Sequence, residues 1–282
     1  EASDMIAMPI TSDALAGVPY RGGVFDTFND PAKFGLFYHA AILLRRGDVR
    51  ESTGDMEVAL PGLWAPRVGA EPGGVAPIDN GHCPALRGAA EVGRIGMRLP
   101  GAPALAPRQL ALDERVVAED AAEIRLDTGE LHRNLAHRYA TIDTPRTKAV
   151  YGFLGALGWI ELRGLRLRCK TDFADIALGA LCDATLDRSD NILLTAVGRA
   201  DNTDATYNDA RSRQYSKGRG PILAEVVEVD IALDTAVAGL KISAISTAGM
   251  ICGPVQETLA NGTLSFTLGG DFPSIYYLIQ KI

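Results

Sequence analysis

Between residues 163 and 268 the chain repeatedly alternates apolar and polar positions. Leu165, Leu167 and Cys169 are separated by Arg166, Arg168 and Lys170 in one stretch, and Leu264, Phe266 and Leu268 alternate with Thr263, Ser265 and Thr267 in another. Successive side chains of an extended strand point to opposite faces, so this period predicts half-buried strands with one apolar face. Ile176, Leu178, Ala180 and Cys182 predict a further strand, and the short apolar run 192–197 predicts a buried one. Residues 222–233 mix Val and Ile with regularly placed acids, and 152–158 (GFLGALG) reads as strand–turn–strand. Asn261-Gly262 is a pair that accepts the backbone geometry of a two-residue hairpin. Short strands punctuated by Gly, Asp and Asn predict a mainly β fold, with a β-sandwich over 126–282.

One segment has a helical period instead. Asp30 can accept hydrogen bonds from a first helical turn, and Pro31 loses nothing at a position whose N–H would be unpaired. Phe34, Phe37, Tyr38, Ala41 and Leu44 then recur on one stripe, which predicts a buried face. Arg45 and Arg46 fall at the negative end of the helix dipole, and Gly47 is suited to end the helix. Residues 61–108 are crowded with Gly, Pro and Ala and have no sustained period. They predict a long irregular connection, which is unusual inside a compact domain. The expected organisation is a helical segment at 1–50, a linker and irregular connection at 51–125, and a β-sandwich accessory domain at 126–282.

Composition narrows the classes. The 282 residues are 47% hydrophobic and 22% charged, enough for a sizeable core. The net charge is −7 and the densest basic run is 163–170, which reads as a solvated strand face, so a nucleic-acid partner is not expected. No apolar run approaches the length of a membrane helix, and no signal peptide is visible. The first residue is Glu1, so the chain reads as starting inside a precursor, after a cleavage or at an artificial boundary. The four cysteines, Cys83, Cys169, Cys182 and Cys252, form no CxxC pair, and their disulfide state stays open.

Candidate chemistry is sparse. There is no GxSxG, Walker loop or GxGxxG, so neither a nucleophile elbow nor a nucleotide site is indicated. His39 reads as a packing or capping residue, His82 has no further ligands at metal spacing, and His132 and His137 are five apart, which suits neither a helix nor a strand face. No catalytic, cofactor-binding or metal-ligating residue is assigned, and no cofactor is expected. The 201–215 loop is rich in acids and amides and carries aromatic rings and guanidinium forks. Asn202, Tyr207, Arg211 and Tyr215 are its candidate ligand contacts, since such groups suit sugar faces and hydroxyls. They also suit docking on a neighbouring domain. In 142–150 (IDTPRTKAV) a proline between two threonines frees backbone groups, so Asp143 and Arg146 read as structural.

Several stretches together resemble a family: 25–33 (FDTFNDPAK), 45–49 (RRGDV), 127–131 (DTGEL), 142–150, 192–203 (ILLTAVGRADNT) and 220–225 (GPILAE). They are similar to the C-terminal part of bacterial glycoside hydrolases of the cellulase-like (β/α)8-barrel type, over residues 22–50 and 126–282. The resemblance implies that 1–50 is the end of a barrel, its closing helix followed by a linker and a sandwich; the compartment stays open, with a secreted or periplasmic bacterial protein as the candidate. It implies an accessory role, stabilising the barrel and shaping the substrate cleft. The partner would be an upstream barrel or another protein surface, with carbohydrate as ligand. The catalytic glutamates of such barrels lie upstream of every matching position, so none is carried over, and the isolated chain is expected to hydrolyse no glycoside. The alternative is a free-standing carbohydrate-binding module or a purely structural β-sandwich.

Overall fold

A computed structural model describes residues 31–59, 88–99 and 101–282. The chain is mainly β and falls into two compact units, one of Glu1–Val49 with Thr141–Ile282, the other of Arg50–Ala140. The Asp30 cap, His82 and Cys83 lie outside the described residues.

Helix α1 (Pro31–Arg46) opens the described chain. It ends as the sequence leads one to expect. Gly47 takes φ +60°, its N–H donates to Leu44 O at 3.2 Å, and the Asp48 N–H donates to Leu43 O at 3.1 Å. These two bonds satisfy carbonyls that the last turn would otherwise leave unpaired.

The Arg50–Ala140 unit contains β1 (Asp55–Ala59), β2 (Arg94–Arg98), β3 (Arg108–Leu110), β4 (Glu123–Arg125) and β5 (Leu131–Asn134). The first three form a parallel sheet in the order β2-β1-β3, and β4 pairs antiparallel with β5. Met56, Val58, Ala89 and Leu110 make its small core. The acids of 127–131 bind the chain just before β1. Glu130 accepts from the Arg50 backbone at 2.7 Å and from Arg50 Nε at 2.9 Å, and Asp127 accepts from the Thr53 and Gly54 N–H groups at 2.8 Å. The stretch expected to be only an irregular connection therefore contains ordered strands. Its strands are only three to five residues long, so pairs such as Met56 and Val58 or Ile95 and Met97 alternate too briefly to register as a sustained period.

The other unit continues with β6 (Tyr139–Asp143), β7 (Thr147–Phe153), β8 (Ile160–Leu162), β9 (Leu165–Cys169), β10 (Phe173–Ala180) and β11 (Asn191–Val197). Then come β12 (Ala200–Thr203), β13 (Thr206–Tyr207), β14 (Gln214–Ser216), β15 (Arg219–Ala224) and β16 (Val229–Asp234). The last are β17 (Leu240–Ile245), β18 (Ile251–Val255), β19 (Glu257–Ala260), β20 (Thr263–Leu268) and β21 (Tyr276–Lys281). One sheet runs β18-β17-β21-β11-β10-β7-β6, and a second runs β19-β20-β16-β9-β8. Their apolar faces share a core. Leu167, Val229, Leu233 and Leu264 of the second sheet are fully buried, as are Ile176, Leu178, Ile192, Leu194 and Ile279 of the first. Asn261 and Gly262 both take positive φ, and they join β19 to β20 in the tight hairpin that the sequence predicts.

The helix is turned differently from the expected stripe. It packs on β10 and β11 through Gly35 and His39, its buried residues. Phe34, Phe37, Tyr38 and Leu44 are 44%, 40%, 47% and 58% exposed. The cause is distance. A Cβ on Gly35 would stand 2.8 Å from Val197 Cγ2, and one on Gly179 of β10 would stand 3.2 Å from His39 Nδ1, so the axis sits too close to the sheet for a face of large rings. This packing also places α1 in the unit of the C-terminal strands. The expected boundary near 50 coincides with the observed one after Val49, whereas the one expected near 125 falls after Ala140, and the 1–49 segment belongs to the same unit as the C-terminal strands.

Candidate functional site

The outward face of the second sheet carries the most developed site among the described residues. Alternation turns Leu165, Leu167 and Cys169 of β9 inward, so Arg166 and Arg168 point out. Register aligns strands far apart in sequence: Arg168 lies opposite Asp230 of β16, and Asp230 lies opposite Thr267 of β20. Trp159, just before β8, extends this row at one edge, with the Arg168 guanidinium 5.2 Å from its ring centroid. Gln256, just before β19, extends it at the other. In the next row Ala232 faces out between Arg166 and Ser265. Its small side chain leaves a floor rather than a ridge. A groove of about 640 Å³ follows these rows, rimmed by the Gly269–Phe272 loop. The Phe272 ring packs on Gly253, where a Cβ would come within 2.5 Å of it, which holds the rim in place.

The polar centre of the groove is preorganised. Arg168 reaches one Asp230 oxygen through Nε at 3.1 Å and Nη2 at 2.7 Å, and the Thr267 hydroxyl donates to the other at 2.9 Å. Partial burial pushes the Asp230 carboxyl up. The hydrogen bonds from Arg168 and Thr267 and the nearby charge of Lys170 outweigh that and hold it below the ordinary carboxylate range. Asp230 is thus a fixed anion and hydrogen-bond acceptor, with no proton to give near neutrality. Trp159 is 47% exposed and Phe272 38%, so apolar rings border a hydrophilic floor.

The sequence-selected contacts lie elsewhere, on an arm formed by the β12–β15 and β13–β14 pairs. Asn202 is buried and donates through Nδ2 to Lys217 O at 2.8 Å, a bond that holds the arm together. Tyr207 and Arg211 do come together. The guanidinium lies 4.1 Å from the ring centroid, and both side chains bind Asp201. Tyr215 stands apart, 65% exposed, with Arg213 5.7 Å from its ring. Sequence reasoning missed the groove because its residues belong to five strands whose register is invisible before folding. The available signal was the outward series Arg166, Arg168, Lys170 together with the regularly spaced acids of 222–233.

A second polar centre lies at one end of the sandwich. Asp143 binds Lys148 Nζ and accepts from Arg163 N and Nε, both at 3.2 Å. Burial lowers the pKa of Lys148, and the Asp143 contact offsets part of this. Thr144, rather than Asp143, satisfies the backbone around Pro145: its hydroxyl donates to Thr147 O at 2.8 Å and accepts from the Thr147 N–H at 2.9 Å. Beneath α1, Thr147 donates to Asp48 at 2.6 Å, and Arg46 binds Asp48 at 2.6 Å and Ala180 O at 2.6 Å. His39 is buried beside them with neither ring nitrogen hydrogen-bonded to a described residue, and burial, aided by the Arg46 charge, lowers its pKa to about 4.

Cys169, Cys182 and Cys252 are free thiols. Among the described residues no three His, Cys, Asp or Glu side chains gather as a metal site. Among the same residues no helix is long and apolar enough to cross a membrane. No family model, curated protein or solved structure matches the chain.

Proposed function

We propose that this chain is the accessory portion of a glycoside hydrolase acting on a polysaccharide or oligosaccharide, and that it meets carbohydrate through the groove on its second sheet. One observation carries the reading. Trp159, an exposed indole, stands beside a row of side chains able to accept from and donate to hydroxyls. A sugar presents C–H faces to a ring and hydroxyls to such a row, and pockets of this mixed kind take ligands with both characters. The resemblance of 142–150 and 192–203 to sandwiches that follow hydrolase barrels supports the same reading. The exposed rings of Phe34, Phe37 and Tyr38 offer an apolar surface for an upstream barrel.

Native gels cast with soluble polysaccharides test this on the full 282-residue chain. The expected result is retardation by at least one neutral polysaccharide, with no turnover of aryl glycosides. Unretarded migration in every gel would overturn the carbohydrate reading and favour a purely structural sandwich. Turnover abolished by a single Asp or Glu substitution would make the chain an enzyme in its own right.

A further inference from the structure

Resting on that carbohydrate reading, we infer that the ligand is an uncharged oligosaccharide lying across the strands of the second sheet, along the row Trp159, Arg168, Asp230, Thr267 and Gln256.

The orientation follows from where the polar groups stand. A ligand running along one strand would meet side chains of one kind. On β9 these are Arg166 and Arg168, both cationic, with Lys170 just beyond, and on β16 they are Asp230, Ala232 and Asp234, with no cation or amide among them. A ligand running across the strands meets, in sequence, a ring, a guanidinium, a carboxylate, a hydroxyl and an amide. Five strands at the ordinary spacing of about 4.8 Å set this row at about 19 Å from end to end. That length suits several linked sugar rings rather than one. Ala232 keeps the adjacent row low, and the Gly269–Phe272 loop closes one side, so the opening is a trough and not a closed pocket.

The charge pattern selects against ionic sugars. The central cation, Arg168, already spends two N–H groups on Asp230, and Asp271 adds a second carboxylate to the lining. A uronate or sulfate entering here would meet Asp230, an ionised carboxylate that already occupies the Nε–Nη2 edge of the Arg168 guanidinium. Hydroxyls meet no such obstacle. Arg168 retains donors beyond those it gives to Asp230, and Gln256, Thr258 and Ser265 are exposed for exchange of water for hydroxyl. At the end of the row Trp159 supplies the apolar platform. Arg166 and Arg168 lie 5.8 Å and 5.2 Å from its centroid and fix the ring's tilt.

Calorimetric titration of the full chain with cellohexaose, xylohexaose, mannohexaose and an oligogalacturonate hexamer, each beside its dimer, tests the inference. The expected result is binding of at least one neutral hexamer, weaker binding of its dimer, and no binding of the galacturonate. Trp159→Ala, an exposed edge substitution, should weaken the hexamer at least tenfold, and Gln256→Ala should weaken the hexamer more than the dimer. Preference for the galacturonate would overturn the ligand class while leaving a carbohydrate function standing. Neutral binding unchanged by Trp159→Ala, or abolished instead by Tyr215→Ala, would overturn the location. If neither these hexamers nor any polysaccharide gel engages the chain, the carbohydrate reading falls with it.

Discussion

The imidazole of His39 fills the space that a side chain at Gly179 would need: Nδ1 lies 3.2 Å, and Cε1 3.3 Å, from where a Cβ would stand. The pair sets the distance between α1 and the sheet. Gly179→Ala is expected to be tolerated with a small loss, because the ring must give by only a few tenths of an ångström. Gly179→Val should push the helix away and cost on the order of 2 kcal/mol, typical of overpacking in a close-packed interior. Denaturant unfolding of the two variants checks this, and equal midpoints would show that α1 is not held at this point.

His39 also gives stability a pH dependence. Its ordinary pKa of 6.5 falls to about 4 in the folded chain, first through burial and then through Arg46. Between these values the unfolded chain binds a proton that the folded chain refuses. Stability from this residue is therefore complete above pH 6.5 and declines as pH falls towards 4, by up to about 3 kcal/mol. His39→Leu should flatten that decline. Unfolding curves at pH 7 and pH 4.5 for both proteins provide the comparison.

Asp175 acts in the opposite sense. Burial raises its carboxyl from 3.8 to about 7. Below pH 3.8 it is neutral in both states. As pH rises towards 7 the unfolded chain ionises first, and stability falls. Asp175→Asn is expected to stabilise the protein by about 2 kcal/mol at pH 8, with the gain vanishing near pH 4. A gain that is the same at both pH values would mean that titration is not its source.

Two basic residues of the 142–150 stretch should differ in weight. Arg146 binds the Cys182 carbonyl at 3.3 Å and Asp183 at 2.5 Å, and Asp183 is fully exposed. Arg146→Ala is therefore expected to cost less than about 1 kcal/mol, as exposed pairs do, rather than the 1–3 kcal/mol or so of leaving buried groups unpaired. Lys148 is buried against Asp143, and Lys148→Ala should cost on the order of 3 kcal/mol. Thermal melts of the two variants give the ranking directly.

The exposed rings of α1 should act when no partner is supplied. Phe34, Phe37, Tyr38 and Leu44 present an apolar surface of the kind that promotes association. Sedimentation at rising concentration is expected to show self-association, reduced in a Phe34→Ser, Phe37→Ser double variant. A strictly monomeric chain at high concentration would count against the barrel-docking role of this helix.

Much of the architecture was legible in the sequence. The alternation at 165–170 gave β9 with its inward face, Asn261-Gly262 gave the hairpin, and Gly47 gave the helix end. The buried side of α1 was not legible, because periodicity marks large apolar residues while the contact was made by a glycine and a neutral histidine. The groove was hidden for a different reason. Trp159, Arg168, Asp230 and Thr267 become neighbours only through strand register, which period-two patterning leaves open. The arm of Asn202, Tyr207, Arg211 and Tyr215 drew attention because its polar residues are close in sequence, and three of them turn out to be engaged within the arm, Asn202 with Lys217 O and Tyr207 and Arg211 with Asp201.

The docking of α1 on β10 and β11 has a consequence during synthesis. The helix emerges from the ribosome well before the strands that cover it, since Arg46 precedes Val197 by about 150 residues. At ordinary elongation rates the delay is on the order of ten seconds. Throughout that interval both sides of α1 are uncovered, the aromatic one and the one bearing Gly35 and His39. The nascent helix thus waits, with both faces open to unwanted contacts, for strands that are made much later.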